Sequence, residues 1–333
     1  MQKEIKLNEK IFIAGSNGMV GRAIKKSLLK SGYGLNKNNG SLLTPSRKEL
    51  DLLKFNEVED WFIKNKPSIV ILAAAKVGGI QANNSMPADF ILENLKIQTN
   101  VIENAWKANV KRFLFLGSSC IYPKFAQQPI KEDSLLETHL ETTNQWYAIA
   151  KIAGLKLCEA LRNQHKFDAI SLMPTNLYGP GDNYHPENSH VMASLISKFS
   201  KATLNSKPFV ECWGSGTPLR EFLHVDDLAD AVVFCLENWQ LNREDSPKDI
   251  FGNPLNHLNV GTGKDISIKQ LAEKISELVG FKGEIIWDKS KPDGTPKKQL
   301  DISRISKLGW FPKISLDKGI KATISIYKKT YKN

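Results

Sequence analysis

Apolar and polar positions follow two rhythms along the first half of the chain. Continuous apolar runs bounded by Gly, Pro or Ser occur at Ile11–Ala14, Leu42–Thr44, Ile69–Ala73, Phe113–Gly117 and Ala169–Met173. Runs of this kind mark parallel strands buried on both faces. Between them, amphipathic stretches predict helices over Met19–Lys30, Glu57–Asn65, Pro87–Ala108 and Trp146–Gln164. Strand and helix in strict alternation mean βαβ units, hence an α/β fold built on a doubly wound parallel sheet. After Pro174 the rhythm loosens. Tyr178-Gly179-Pro180-Gly181 reads as a turn, His190–Ala202 as a helix and Phe209–Trp213 as a strand, the grain of a smaller mixed α/β unit. The expected division is therefore 1–174 and 175–333, with the chain crossing back into the first unit near 222–262. Gly32–Gly40 and Asn242–His257 are expected as surface loops, and no internal repeat is present.

Length and composition narrow the class. The 333 residues suit about two domains at roughly 150 residues each, and 41% hydrophobic with 24% charged residues is ordinary globular usage. The longest apolar stretch, Ile69 to Ala75, stops at Lys76, far short of the roughly 18 residues a membrane span needs. The lysine-rich start runs into a strand without a small-residue cleavage pattern, so a cytoplasmic location is expected. Four cysteines without C-x-x-C spacing indicate neither a disulfide frame nor a metal site, which leaves single-thiol chemistry. The net charge of +11 favours anionic partners, but the lysines are dispersed and no nucleic-acid-binding pattern occurs. The charge is read as a solvated surface together with sites for phosphorylated small molecules, not nucleic acid or membrane.

The sharpest local signal is Ile11-Phe12-Ile13-Ala14-Gly15-Ser16-Asn17-Gly18-Met19-Val20-Gly21, a strand running through Gly-x-x-Gly-x-x-Gly into a helix. Three spaced glycines alone mark only a turn; between strand and helix they predict a Rossmann-type dinucleotide site. Glycine is needed there for positive φ, for approach of a pyrophosphate to the backbone, and for close packing of helix on strand. The helix N-terminus then holds the anion. After the second strand comes Thr44-Pro45-Ser46-Arg47, with no acid to bind ribose hydroxyls and an arginine suited to a 2′-phosphate. NADP(H) is therefore expected over NAD(H); the plainer alternative is that Arg47 begins a surface helix, and Asp51 lies too far along to compete strongly. Ala73 and Ala74, after the third strand, are small enough to run beneath a cofactor.

Tyr147 and Lys151 lie four residues apart, on one helix face. With seven tyrosines and 46 Lys and Arg in 333 residues, about one such pair arises by chance, and Tyr33 with Lys37 is a second match. That pair falls in the Gly- and Asn-rich insert, away from any cofactor context. Tyr147 instead follows a strand ending in Gly117-Ser118-Ser119-Cys120, at the carboxyl edge where such sheets bind ligands. A neighbouring lysine is expected to bring the phenol proton toward neutral-pH chemistry. Hydride from a nicotinamide, a proton from Tyr147 and orientation by Ser118 make a carbonyl reductase.

These parts resemble the extended short-chain dehydrogenase/reductase family. Within it, longer motifs resemble the GDP-L-fucose synthase family from about residue 10 to 330. They are Gly117-Ser118-Ser119-Cys120-Ile121-Tyr122-Pro123, Met173-Pro174-Thr175-Asn176-Leu177-Tyr178-Gly179-Pro180, Asn188-Ser189-His190-Val191, Trp213-Gly214-Ser215-Gly216-Thr217-Pro218 and Lys291-Pro292-Asp293-Gly294-Thr295-Pro296. The resemblance implies a Rossmann domain, a smaller C-terminal domain for a GDP-sugar, and a homodimer packed through helices. It implies epimerisation of GDP-4-keto-6-deoxy-D-mannose at carbons 3 and 5, then reduction at carbon 4 by NADPH. It also implies Pro174, Asn176, Leu177, Lys151 and His190 as cofactor contacts, and Lys198, Trp213, Arg220 and Lys291 as contacts to diphosphate and guanosine.

Epimerisation beside a ketone needs a base on one face of the sugar and an acid on the other. The family's two residues match Cys120 and His190. Read alone, a single Cys is a small buried hydrophobe and a single His a structural hydrogen-bonder. Trp213 alone reads equally as core filler, and Arg220 as a surface ion-pair partner. The chain departs from the family pattern in having lysine at position 198, where arginine is frequent, and Ser16-Asn17 where a basic residue is frequent, so the NADP preference rests on Arg47. A related alternative is a 4-ketoreductase, with or without epimerase activity, acting on another GDP-4-keto-deoxyhexose or a GDP-heptose. A non-catalytic member of the fold would be expected to have lost the Ser118, Tyr147 and Lys151 set, which is complete here.

Overall fold

The computed structural model describes residues 3–186, 189–291 and 293–331. In chain order the first half forms β1 (Lys10–Ala14), α1 (Met19–Lys30), β2 (Ser41–Leu43), α2 (Phe55–Asn65), β3 (Ile69–Leu72), α3 (Ile80–Ser85), α4 (Pro87–Lys107), β4 (Arg112–Leu116), α5 (Gln145–His165) and β5 (Ala169–Pro174). The second half forms β6 (Asn176–Tyr178), α6 (Val191–Leu204), β7 (Phe209–Trp213), β8 (Leu219–His224), α7 (Val225–Asn238), β9 (His257–Val260), β10 (Asp265–Ser267), α8 (Ile268–Val279), β11 (Glu284–Asp288), β12 (Lys297–Lys298), α9 (Ser303–Lys307) and α10 (Leu316–Thr330).

Four of the five residues of β1, and all of β3, β4 and β5, are buried, because helices cover both faces of the sheet. The six strands run parallel in the order β2-β1-β3-β4-β5-β9. The order reverses between β1 and β3, and the crevice beyond their carboxyl ends is where such sheets take ligands. One apolar layer joins Ile11, Ile13 and Ile71 to Ile24 of α1 and to Leu228, Val232 and Leu236 of α7. The opposite layer joins Phe12, Val70 and Phe115 to Phe62, Val101 and Leu155 of α2, α4 and α5. Each such side chain withdrawn fully from water contributes about 1.5–3 kcal/mol before entropy is counted. A third core gathers α6, α8 and α10 around Phe199, Ile275 and Ile320.

Boundaries differ from the sequence expectation mostly by one or two residues. Thr44 lies beyond β2, and Ala73 and Gly117 lie past the ends of their strands, at the rim of the cleft described below. The larger correction concerns Asn242–His257. Ile250 and Phe251 are exposed, but Leu255, Asn256 and His257 are buried, and His257 opens β9 on the free edge of β5. His257-Leu258-Asn259-Val260 alternates polar and apolar residues and so lacks the continuous apolar run by which the other buried strands were read. Gly32–Gly40 holds a short 3-10 turn at Asn36–Asn38, and Tyr33 is fully buried with its hydroxyl donating to Glu237 at 2.8 Å. The Tyr33–Lys37 pair thus takes no part in the cleft. Among the described residues no helix is long and apolar enough to cross a membrane.

Candidate active site

A single cleft runs from the β1–α1 turn, past the carboxyl ends of β3, β4 and β5, to the wall formed by α6, β7 and β8. Its lining includes the turn residues Gly15 to Gly21, the edge residues Arg47, Ala73, Ala74, Pro174, Asn176 and Leu177, and the set Ser118, Cys120, Tyr147, Lys151 and His190. Lys198, Trp213, Arg220 and Lys291 line the far end of the same cleft. Every site residue expected from the sequence therefore opens on one space. Asn188 and Pro292, which belong to the motifs, lie outside the described residues.

The three glycines of the turn do different work. Gly15 has φ +88, and a Cβ there would lie 2.7 Å from the Ala74 backbone. At Gly21 a Cβ would lie 2.2 Å from the Gly15 carbonyl oxygen, so α1 packs on the turn only without a side chain. Gly18 has φ −74, and a Cβ there would meet only the Gly15 carbonyl oxygen, at an ordinary 3.5 Å, so neither positive φ nor close packing calls for glycine at this position. The fold itself does not require glycine at 18. Glycine there leaves the first turn of α1 open to an approaching group, and the buried Ser16 hydroxyl beside it, without a partner among the described residues, suits an anionic guest. A dinucleotide pyrophosphate suits this cradle.

Arg47 lines the cleft beyond the end of β2, its side chain 76% exposed, with Nε 4.0 Å from Asp51 Oδ1. Asp51 also lines the cleft. Its carboxylate lies at the outer edge of ion-pair range from the guanidinium.

β4 ends at Leu116, and the next residues turn into the cleft: Gly117, where a Cβ would collide with the Met173 sulfur, then Ser118 and the short turn Ser119–Ile121. Ser118 Oγ accepts from the Cys120 amide at 3.2 Å, and its hydroxyl is near enough to the Tyr147 phenol to ease loss of the phenol proton. One turn along α5, Lys151 Nζ donates to the Leu116 carbonyl at 2.8 Å and stands 5.8 Å from the centre of the Tyr147 ring. Here the electrostatics differ from the sequence expectation. Burial, reinforced by the nearby Cys120 charge, pushes the Tyr147 phenol above its ordinary range, and the Ser118 bond only partly offsets this. Burial also pulls the Lys151 ammonium down to about 7. Lys151 is spent on a carbonyl and does not acidify the phenol across this gap; Tyr147 is held protonated, as a donor must be.

Cys120 is the partly accessible thiol among the four free cysteines; Cys158, Cys212 and Cys235 are buried. Burial would raise its proton affinity, yet Lys298, Ser118 and Arg220 together hold it below the ordinary thiol range. Lys298 Nζ lies 3.3 Å and Asn144 Nδ2 3.6 Å from the sulfur. His190, the residue before α6, presents its surface to the cleft. Enclosure by the walls, with a smaller contribution from Lys298, keeps its imidazole below the usual range. Lys298 and Asn144 were missed in the sequence. Lysine is too frequent in this chain for one beyond a motif to stand out, and neither residue has a spacing relation to Cys120.

At the far end, Lys198 Nζ and Lys291 Nζ lie 5.1 and 5.6 Å from the ring centre of Trp213, which is 44% exposed. Trp213 is thus not core filler. Arg220 donates to the carbonyls of Leu219 and Asp293 at 2.9 and 3.2 Å, and among the described residues it pairs with no carboxylate. An aromatic face flanked by two ammonium groups and a guanidinium suits a base carrying a diphosphate.

Known proteins resemble this chain along most of its length. The family model described as "NAD dependent epimerase/dehydratase family" matches residues 11–250. The chain is 53% identical to GDP-L-fucose synthase 1 of Arabidopsis thaliana, covering 97% of this chain and 94% of that protein. It is 50% identical to GDP-L-fucose synthase of Escherichia coli (strain K12), covering 95% of each. Among solved structures, a GDP-mannoheptose C4 reductase from Campylobacter jejuni with NADP bound superposes with a TM-score of 0.85 at 38% identity, covering 97% of this chain and 99% of that one. The protein accordingly belongs to the NAD dependent epimerase/dehydratase family and, within it, stands among the relatives of the GDP-L-fucose synthases.

Proposed function

We propose that this protein epimerises GDP-4-keto-6-deoxy-D-mannose at carbons 3 and 5 and reduces the 4-keto group with NADPH, giving GDP-L-fucose. The observation that carries the reading is the meeting of Cys120, His190 and Tyr147 in one cleft whose far end offers Trp213 between Lys198 and Lys291. A plain ketoreductase needs only the tyrosine. A thiol held toward its anion and an imidazole on the same cleft are the extra pair that epimerisation demands.

NADPH, when bound, supplies the hydride for carbon 4. Gly15, Ser16, Asn17, Gly18, Met19, Val20 and Gly21 would hold its pyrophosphate, Arg47 its 2′-phosphate, and Ala73, Ala74, Lys151, Pro174, Asn176, Leu177 and His190 the rest. Lys198, Arg220 and Lys291 hold the sugar's diphosphate, with Trp213 against the base. Cys120 as thiolate removes the proton beside the ketone, and Tyr147 and Ser118 donate hydrogen bonds to the oxyanion that forms on O4. His190 returns a proton to the opposite face. Tyr147 afterwards gives its own proton to O4 in the reduction, so one oxyanion site serves both half-reactions. In this reading 1–174, with the return near 222–262, is the cofactor half, and the remainder of 175–333 is the GDP-sugar half. A cytoplasmic setting suits a mechanism that depends on a free thiol.

The test is incubation with GDP-4-keto-6-deoxy-D-mannose and NADPH in D₂O, with the product read by NMR. GDP-L-fucose deuterated at carbons 3 and 5 is expected. A 4-reduced sugar without deuterium there would favour the ketoreductase alternative, which the heptose-reductase neighbour makes the serious competitor.

Arg47 gives a separate expectation. Arg47→Glu places a carboxylate where a 2′-phosphate would lie and where ribose hydroxyls would accept one. The ratio of kcat/KM for NADPH over NADH is expected to fall at least tenfold, chiefly through KM. An unchanged ratio would show that the 2′-phosphate is bound elsewhere.

A homodimer is also part of the proposal. Leu92 of α4 and Trp146 and Ile149 of α5 are exposed apolar side chains on two helices that pack on each other, the kind of residue a second copy would cover. Light scattering at micromolar concentration is expected to give twice the 37.3 kDa chain mass.

A further inference from the structure

Resting on the reading above, we propose that Lys298 is the fixed cation that keeps Cys120 as the thiolate base of the epimerisation and disfavours a proton on His190. Lys298 carries no role in any of the motifs; the geometry assigns it one. Its Nζ lies 3.3 Å from the Cys120 sulfur, and among the described residues it forms no ion pair with a carboxylate. The neighbouring Lys297, pointing to the other side of the short strand, pairs with Asp265 at 3.2 Å. Two adjacent lysines are thus sorted by strand alternation, one to a carboxylate and one to the thiol.

The position is held from several directions. β12 pairs with β8 through Lys297 with Leu219 and Lys298 with Arg220. Past Lys298, the amide of Gln299 donates to Gln128 Oε1 at 2.9 Å and that of Leu300 to Glu221 Oε2 at 2.7 Å. The Ile130 amide donates to the Gln299 carbonyl at 2.8 Å. Glu221 is fully buried and also accepts from the Gly263 amide at 2.8 Å, so its carboxylate fastens the segment that carries Lys298. The ammonium is thereby presented to the sulfur by backbone contacts, not by a flexible loop.

The other charged and titratable groups around the thiol do not replace it. From β8, Arg220 adds positive charge, but its guanidinium donates to the Leu219 and Asp293 carbonyls. From the approach to α5, Glu141 lines the small pocket behind the sulfur and is neutralised by Lys124 at 2.9 Å. From α5, Tyr147 stays protonated and Lys151 donates to Leu116. From the start of α6, His190 feels the same Lys298 charge, which opposes a second cation there.

The proton balance follows. The thiolate takes the α-hydrogen as a proton and becomes S–H, while the C–H pair forms a carbon–carbon double bond and the carbonyl π pair moves to O4. His190 as imidazolium then gives its proton to the opposite face, the double-bond pair becomes the new C–H bond, and the carbonyl re-forms. Solvent removes the thiol proton and restores that on the imidazole. The active form needs thiolate and imidazolium together; Lys298 favours the first and opposes the second. Its removal should therefore shift both limbs of the pH profile upward, which a merely structural role would not do.

The experiment measures alkylation of Cys120 by iodoacetamide against pH in the native full-length chain, with the modified peptide identified by mass spectrometry. Wild type is expected to titrate below the free-thiol reference of about 8.5. Lys298→Met should titrate at least one pH unit higher and react about tenfold more slowly at pH 7, while Lys298→Arg stays near wild type. Deuterium wash-in to the keto sugar should show both limbs shifted upward in Lys298→Met. A wild-type thiol titrating at or above the free value overturns the proposal even if the variant does not fold. So does an unshifted Lys298→Met. Because alkylation needs no substrate, a shifted titration in an enzyme that exchanges no substrate deuterium would sink the epimerase reading and leave the Lys298–Cys120 pairing standing.

Discussion

Tyr147→Phe is expected to lower 4-keto reduction by about 10²–10⁴-fold, the contribution of a positioned general acid. The substitution removes one oxygen, while the ring remains edge-to-face against Phe90 at 6.5 Å and α5 keeps its packing. Ser118 still offers a hydroxyl to O4, but its ordinary alcohol proton is a poor one to lose, and Lys151 is directed to the Leu116 carbonyl. NADPH binding, followed by fluorescence, should be unchanged. Deuterium exchange at carbons 3 and 5 should persist, slowed by the loss of one of two oxyanion donors. Because the phenol is held above its ordinary range, reduction in wild type should show no loss from phenol ionisation through neutral pH. Near-normal NADPH oxidation by Tyr147→Phe would remove the phenol as proton donor.

Cys120→Ser is expected to suppress deuterium wash-in by a factor of similar size, because a hydroxyl beside Lys298 remains protonated where a thiol with a reference near 8.5 does not. The two side chains are nearly isosteric, so the Asn144 and Lys298 contacts survive and folding is not at issue. Wash-in measured with oxidised or absent nicotinamide separates this step from hydride transfer, since removal of the α-proton depends on the carbonyl alone. His190→Gln, the companion variant, should leave some exchange and lose inversion, as the thiolate still removes the proton but nothing returns it from the opposite side. Full wash-in in Cys120→Ser would take the thiol out of the mechanism and return the protein to the simple ketoreductases.

Much of the site was legible in the sequence because its parts are local. The turn from Gly15 to Gly21 lies within seven residues, Tyr147 and Lys151 share one helical turn, and Ser118 and Cys120 sit on one strand end. Each is fixed by short-range geometry, so spacing read together with the strand or helix beside it carries it. Cys120 and His190 were different. As isolated residues they read as structural, and only longer motifs resembling a family joined them to the chemistry.

The sequence by itself determined the parallel βαβ half, since strands buried on both faces must be continuously apolar and their helices must keep a stripe facing the sheet. It also determined the dinucleotide turn, because Gly15 takes a positive φ within the turn itself and Gly21 answers to the Gly15 carbonyl six residues back. Only the tertiary structure decided that β9 closes the sheet from 257–260 and that Tyr147 keeps its proton while Lys151 is pulled down to about 7. It alone decided that Lys298 meets Cys120 across 178 residues of chain. Burial and through-space charge depend on the three-dimensional neighbourhood, which no spacing along the chain encodes.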